Sequence, residues 1–431
     1  MRIIQICPGS GDNFYCENCL RDAALVKAVR KLGHDVLMVP LYLPLQADKV
    51  EQVSNAPIFF GGVNVYLQQK LSLFRKTPRW IDRWFDSRGL LEWAGRKAGM
   101  TNARDLGETT ISMLQGEDGR QVKELDRFVD WLVTEQQKPD VVCLSNVLLA
   151  GLARRIKERL GVPVVCLLQD EDGFLDGLSS PYAERAWAVV HERIRDIDAF
   201  LAVSRYYGDT MAARLKAETR RMHVVRMGIE LAAYEPQSAT PSTPTIGFLS
   251  RMCPERGLDK LVDAFLLLKK SDHLRSAKLR ISGGRSVADE PFLKRQKEKL
   301  EAAGVLGDVE FLHAFHHPAK LEFLRSLSVL SVPEPQPVAY GLYVLEALAM
   351  GVPVVEPAIG CFPETIEAVG GGVLYEPNTA EKLAETLDSL LSDPEAARKL
   401  GAQGRAGMLD AFDIARTADE MIRVYEQIVA R

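Results

Sequence analysis

Gly341-Leu342-Tyr343-Val344-Leu345-Glu346 sets a glycine at the start of an apolar helical period and one carboxylate about a turn and a half into it. Leu342, Leu345, Leu348 and Ala349 recur at helical spacing, and Gly351 followed by Pro353 ends the period. A helix N-terminus offers unpaired N–H groups and the positive end of a dipole, so Gly341, Leu342 and Tyr343 can receive a phosphate. Glu346 can then accept from a pair of sugar hydroxyls. An ordinary amphipathic helix with a solvated glutamate has the same pattern, so a second set of residues has to point the same way. Ser250-Arg251-Met252-Cys253-Pro254-Glu255-Arg256-Gly257 does so, because it follows the apolar run 245–249 and carries two arginines at a strand's carboxyl end. Guanidinium forks suit phosphate oxygens, and Arg251 and Arg256 can reach one diphosphate. Leu279-Arg280-Ile281-Ser282-Gly283-Gly284 adds a strand running into a glycine turn, where backbone at Gly283 can approach a base or a phosphate.

The first half of the chain carries a second group of candidates. Pro8-Gly9-Ser10-Gly11 follows the run 2–7 and precedes a helical stretch, so Gly9 and Gly11 can lie against a phosphate or a substrate. The dinucleotide fingerprint is incomplete: Phe14 takes the third glycine position, and Val39-Pro40-Leu41 lacks the acidic residue that binds a ribose, which argues against a nicotinamide enzyme. Gln169-Asp170-Glu171-Asp172 stands at the end of the run 162–168. Asp170 and Asp172 there suit sugar hydroxyls, a divalent cation on a diphosphate, or a solvated loop. Cys16-Glu17-Asn18-Cys19 has zinc-ligand spacing, but no second such pair or paired histidines complete four ligands. Cys16 and Cys19 are read as acceptor-side residues, with no metal required, and Cys143 and Cys166 as core.

Short apolar runs must position these residues. They fall at 2–7, 35–40, 141–145, 162–168, 199–203 and 224–227, then at 245–249, 278–282, 309–312, 329–332, 352–355 and 372–374, with amphipathic segments between them. That alternation predicts two parallel sheets with helices on both faces. Tyr234-Glu235-Pro236-Gln237-Ser238-Ala239-Thr240-Pro241-Ser242-Thr243-Pro244 has no apolar period and reads as the linker. The expected domains are therefore 1–233, with an insertion at about 44–135, and 245–431, whose last helix packs back on the first domain. A cleft between two such domains is the default ligand site.

The helix from Gly341 to Glu346 and the Gly-Val-Pro that follows it resemble the donor motif of the retaining glycosyltransferases of family 4 (glycosyl transferases group 1). In that motif two glutamates are separated by seven residues, and Glu346 matches the second. Val338 stands where the family has the first, the one set against the donor sugar; Glu334 lies nearby but out of register. Arg251 matches the family's Arg in Gly-Arg-…-Glu-Lys-Gly, and Arg256 stands for its Lys. Ala358-Ile359-Gly360-Cys361-Phe362-Pro363-Glu364 resembles Gly-Gly-x-Pro-Glu, with Cys361 in place of a glycine and hence a stiffer backbone. The family commonly has a His on the donor sugar near position 170, where Gln169 and Asp170 stand. The resemblance covers nearly the whole chain and implies the GT-B fold, two Rossmann-like α/β domains facing each other with the acceptor side first and the donor side second.

The 431 residues, 47% hydrophobic and 26% charged with a net charge of −4, exclude a global basic field for nucleic acid and suit two globular domains. No apolar run approaches the ~18 residues of a membrane span, and Met1-Arg2-Ile3-Ile4-Gln5-Ile6 reads as a strand rather than a leader. Seven cysteines without a disulfide-framework pattern agree with a reducing compartment, so the expected location is cytoplasmic. Residues 70–100 hold eight Lys and Arg against three Asp and Glu, interleaved with Trp80, Trp84, Phe85 and Trp93. This suits either peripheral contact with an anionic inner membrane face or packing as an insertion.

The expected activity is that of a hexosyltransferase-type enzyme using a nucleotide-sugar donor and a glycan, lipid-linked or small-molecule acceptor, with retention implied by the resemblance and no cofactor. Arg251 and Arg256 would stabilise the departing diphosphate, Asp170 would act at the sugar, and Glu346 would orient the ribose. Val338 and the absent His keep open a catalytically silent nucleotide-sugar-binding protein, and the architecture also admits a nucleotide-sugar epimerase.

Overall fold

A computed structural model describes residues 1–8, 17–41, 59–60, 103–134, 136–236, 241–312 and 317–431. Gly9, Gly11, Cys16 and residues 70–100 lie outside that set, as does the side chain of Cys19. The chain divides into two compact units, Met1–Arg226 together with Thr417–Arg431, and Met227–Arg416.

The first unit is built on β1 (Arg2–Cys7), β2 (Asp35–Pro40), β3 (Val141–Leu144), β4 (Val164–Leu168), β5 (Ala199–Ala202) and β6 (Met222–Val224). They form one parallel sheet in the order β2-β1-β3-β4-β5-β6. Val141, Val142, Cys143 and Leu144 are buried without alternation, as are Val164 to Leu168, because helices cover both faces. The last strand is shorter and earlier than the apolar run 224–227 predicts. It pairs only with β5 and is half exposed, so burial does not select an apolar run for it.

The second unit repeats the plan with β7 (Thr245–Leu249), β8 (Lys278–Ser282), β9 (Val309–Leu312), β10 (Val329–Leu330), β11 (Val354–Pro357) and β12 (Gly372–Tyr375) in the order β12-β11-β10-β7-β8-β9. In each sheet the chain builds outward from its first strand, then returns to that strand's other side. The order thus reverses between β1 and β3, and between β7 and β10. At such a point the loops from neighbouring carboxyl ends part, leaving a crevice for ligand.

The division at Arg226 and Met227 precedes the Pro/Ser/Thr stretch chosen from sequence. Ile229 N–H donates to the Phe412 carbonyl at 3.0 Å and Ile414 N–H to the Ile229 carbonyl at 3.1 Å, which ties residues 227–234 to the second unit. Tyr234 is buried there as well. At the other end, Thr417–Arg431 cluster with the first unit, with Tyr425 fully buried. Among the described residues no helix is long and apolar enough to cross a membrane.

Candidate functional site

Arg256 lies on the loop after β7, and Glu334 on the loop after β10, so their pairing spans the reversal point of the second sheet. Arg256 Nη1 donates to Glu334 Oε1 at 2.8 Å. The Tyr343 hydroxyl donates to that same oxygen at 2.9 Å. Tyr343 belongs to the first turn of the helix Leu342–Ala349, so one buried carboxylate oxygen links the arginine to the helix start. Gly257, beside Arg256, has φ +71°, and a Cβ there would lie 2.0 Å from the Pro333 carbonyl oxygen. Only glycine allows the two loops to approach this closely. The helix itself begins at Gly341, which makes no side-chain cap bond, and an added Cβ at Gly341 would meet the Phe362 ring at 2.9 Å.

Arg251 stands on the same loop and turns toward the loop after β8. Its Nε and Nη2 hold Asp289 Oδ2 and Oδ1 at 3.1 and 2.9 Å, and Nη2 also reaches Ser286 Oγ at 3.2 Å. Asp289 closes a capping box with Ser286. Burial raises the Asp289 carboxyl, but hydrogen bonds from Arg251 and Ser286 outweigh it and hold the group below its ordinary value. The two loops are also laced through backbone, Met252 N–H donating to the Gly284 carbonyl at 2.8 Å. Gly283, at φ +145°, has no room for a side chain, since a Cβ would meet the Ser250 carbonyl at 1.8 Å. Arg251, Arg256, Gly283, Gly341, Leu342 and Tyr343 therefore gather at the carboxyl ends of β7, β8 and β10, although the Tyr343 ring turns inward to Glu334.

Glu346 is buried, and one of its two carboxylate oxygens carries both of the bonds that follow. Its Oε1 accepts from the Tyr234 hydroxyl at 2.8 Å and from Lys320 Nζ, both buried. Glu334 does not stand in for the carboxylate missing at Val338: it binds Arg256, while Val338 is 5% exposed and packed into the core. Cys361 N–H donates to the Val338 carbonyl at 3.0 Å. The stiffer backbone expected at Cys361 is not found, because the positive φ of +59° falls on Gly360 and Cys361 sits at φ −79°, where any residue fits. Asn378 holds the Glu334 carbonyl at 2.7 Å and takes Lys260 Nζ at 2.5 Å. Glu356 is fully buried on β11 and accepts from Val332 N–H at 3.1 Å, and burial raises its carboxyl well above the ordinary value.

In the first unit the three acids after β4 separate. Asp170 is exposed and takes φ +75°, a strained conformation for a non-glycine residue. Glu171 turns inward, where Oε1 accepts from Val147 N–H at 3.1 Å and Oε2 from Gln169 N–H at 2.5 Å. Burial pushes its carboxyl up to about 7. Asp172 accepts from the Tyr207 hydroxyl at 2.9 Å and Arg214 at 3.0 Å. Beneath them, fully buried Asp22 accepts from Ser145 Oγ at 2.6 Å and Gln169 Nε2 at 3.2 Å, which joins the helix Glu17–Lys31 to the ends of β3 and β4. Burial raises Asp22 against the pull of Arg21 and these hydrogen bonds. Cys143 and Cys166 are buried free thiols. Among the described residues no group of three His, Cys, Asp or Glu side chains is placed to hold a metal ion.

Asp22, Glu334, Asp289, Tyr234, Lys320 and Asn378 are residues that sequence reasoning missed or misplaced. Only Asp289 had a local signal, the Ser286-x-x-Asp289 capping pattern. The others meet their partners across long separations that no local pattern encodes.

Residues 234–407 match the family described as glycosyl transferases group 1, and residues 23–228 match the glycosyl transferase 4-like domain. The chain is 27% identical over 317 residues to alpha-maltose-1-phosphate synthase of Mycolicibacterium smegmatis, covering 66% of this chain and 79% of that one. It is 25% identical over 224 residues to D-inositol 3-phosphate glycosyltransferase of Jonesia denitrificans, 49% of this chain and 52% of that protein, so the match spans about half that relative's length. Among solved structures, sucrose-phosphate synthase from Thermosynechococcus elongatus superposes with a TM-score of 0.70 at 17% identity, over 100% of this chain and 99% of that one. Anabaena HepE in complex with UDP superposes with a TM-score of 0.69 at 14% identity, over 99% and 100% of the two chains. These likenesses carry the two-domain GT-B fold.

Proposed function

From a chain that carries the two domains of a GT-B glycosyltransferase, we propose a hexosyltransferase that takes its sugar from a nucleoside-diphosphate sugar and transfers it with retention of configuration. The observation that supports this donor is the link from Arg256 through Glu334 and Tyr343 to the helix start at Gly341 across the reversal point of one sheet, with Arg251 on the same loop as Arg256. Two guanidinium groups and a helix N-terminus are what a departing diphosphate needs, since its charge grows as the glycosidic bond breaks. HepE has been crystallised with UDP and with UDP and glucose, which supports the same donor chemistry here.

The proposed roles are these. Arg251 and Arg256 hold the diphosphate, and the Leu342 and Tyr343 N–H groups meet a phosphate oxygen. Glu346, with its carboxylate fixed by Lys320 and Tyr234, orients the ribose. In the first unit, exposed Asp170 at the end of β4 serves the sugar, Gly9 and Gly11 serve the donor, and Asp172 serves the acceptor with Cys16 and Cys19. The acceptor is a hydroxyl of a glycan, a lipid-linked sugar or a small molecule. Its proton passes to a leaving phosphate oxygen, so no protein base and no metal are assigned. The basic and aromatic stretch 70–100 fits peripheral contact with an anionic membrane.

Incubation with UDP-, GDP- and ADP-sugars tests the reading. Slow release of the free nucleoside diphosphate from one of the three is expected, faster when an acceptor is present. Binding without any turnover, with or without candidate acceptors, would instead favour a silent nucleotide-sugar-binding protein. That second reading draws on Val338, whose buried side chain brings no carboxylate to the donor sugar. Isomerised sugar as the product would identify an epimerase.

A further inference from the structure

Each arginine assigned to the diphosphate already holds a buried acid. Asp289 is 5% exposed and takes Arg251 through two hydrogen bonds, while Glu334 is 1% exposed and takes Arg256. The formal charges of these four side chains cancel. The third acid nearby, Glu356, is fully buried, and burial raises its carboxyl well above the ordinary value. Glu334 is moreover locked in place, its Oε1 by the Tyr343 hydroxyl and its carbonyl by Asn378. A fixed carboxylate therefore stands against Arg256, whose side chain is 36% exposed.

Such a carboxylate acts unequally on donor and product. The terminal phosphate of a free nucleoside diphosphate carries about −1.5 to −2 at neutral pH, whereas esterification to a sugar leaves it a single charge. A low-dielectric neighbour of the same sign penalises the extra charge most. We propose that Glu334, through its hold on Arg256, is a specificity-determining residue that lowers the site's preference for the free nucleoside diphosphate relative to its glycosylated form. Asp289 acts in the same sense on Arg251, and the spent nucleotide leaves rather than blocking the next donor. This inference rests on the nucleoside-diphosphate donor proposed above.

The experiment is calorimetric titration of the protein with UDP, GDP and ADP, and with UDP-glucose, GDP-mannose and ADP-glucose, in wild type, Glu334→Gln and Asp289→Asn. Both substitutions keep shape while removing charge; Glu334→Gln retains one oxygen to accept from Arg256 and Tyr343, whereas Asp289→Asn turns one of two accepting oxygens into a donor. For the base that binds, each should tighten the free diphosphate on the order of tenfold and the nucleotide sugar several-fold less. The wild-type protein alone gives a second measure: it should bind the terminal methyl ester of that diphosphate at least as tightly as the diphosphate itself. Equal changes for both ligands, weaker diphosphate binding in Glu334→Gln, or a wild-type preference of more than about tenfold for the unesterified diphosphate would overturn the proposal. Absence of binding by wild type and both folded variants to every nucleotide at about 1 mM would instead overturn the donor reading beneath it.

Discussion

Glu171 is the residue whose ionisation the fold alters most usefully for a test. Its carboxyl rises from 4.5 to about 7, chiefly by burial and against the hydrogen bonds from Gln169 and Val147 N–H, so the folded protein holds a proton that the unfolded chain releases. Folding then takes up a proton between those values. The stability this group contributes is fully present below pH 4.5 and falls as pH rises through about 7. The span corresponds to about 3 kcal/mol. Glu171→Gln should lack that slope, so urea-unfolding free energies of wild type minus variant, measured across the window, should decline by about that amount. A flat difference would show that Glu171 is not titrating there. Glu346 makes a different case, because its partners are buried with it. Glu346→Ala takes the carboxylate away from the buried Lys320 ammonium and Tyr234 hydroxyl, and loss of about 3 to 5 kcal/mol is expected from thermal or denaturant unfolding. The same variant should bind the nucleoside diphosphate more weakly at temperatures where it remains folded. Unchanged affinity there would remove the ribose assignment and leave Glu346 as a structural anchor.

Elements position these residues through the approach of loops, and Gly257 is where the loop after β7 meets the loop after β10. Its φ of +71° and the 2.0 Å from an added Cβ to the Pro333 carbonyl mean that alanine has to push the β7 loop off the β10 loop. Gly257→Ala should cost about 1 to 3 kcal/mol of stability and, by separating Arg256 from Glu334 and the helix start, weaken nucleoside-diphosphate binding. Calorimetry on the folded variant checks this, and an affinity equal to wild type would mean that the approach matters only for folding. Much of this layer could be read in the chain. Apolar runs mark every strand that is buried on both faces, because a parallel interior strand such as Val164–Leu168 has no exposed face to interrupt its hydrophobicity. Met222–Val224 escaped because an edge strand is not under that demand. Gly341, Arg251 and Arg256 could be singled out from sequence because the glycine marks a helix start and the arginines follow a strand, whereas Gly257 was not singled out. The pairings of Arg256 with Glu334, or Glu346 with Lys320 and Tyr234, were not. They depend on which loops the sheet order brings together, and periodicity carries no information on that.

At the scale of the molecule, the two sheets were legible and the place where the chain leaves the first unit was not. The Pro/Ser/Thr stretch looks like the boundary because it has no apolar period. Residues 227–234 nevertheless belong to the second unit through the Ile229 backbone pairing and the burial of Tyr234. The second unit is thus one continuous stretch, Met227–Arg416, whereas the first needs two, Met1–Arg226 and Thr417–Arg431. That asymmetry makes a prediction about fragments. Residues 227–416 carry a complete six-stranded sheet and their own core, so they should fold alone with a cooperative thermal transition and bind the nucleoside diphosphate through Arg251 and Arg256. Residues 1–226 should not fold alone. They lack Ala418, Met421, Ile422, Tyr425 and Ile428, all buried, and loss of even one large aromatic of this kind costs about 3 to 5 kcal/mol, a large share of a domain's stability. Tyr425 sits beside the Cys143 thiol, where burial pushes the thiol up to about 12, so its removal would open the polar network of Asp22 and Ser145 to water as well. Adding a peptide of residues 417–431 in trans should restore helical circular dichroism and protease resistance to the 1–226 fragment. A 1–226 fragment that melts cooperatively without the peptide would show that the terminal segment decorates the first unit rather than completing its core.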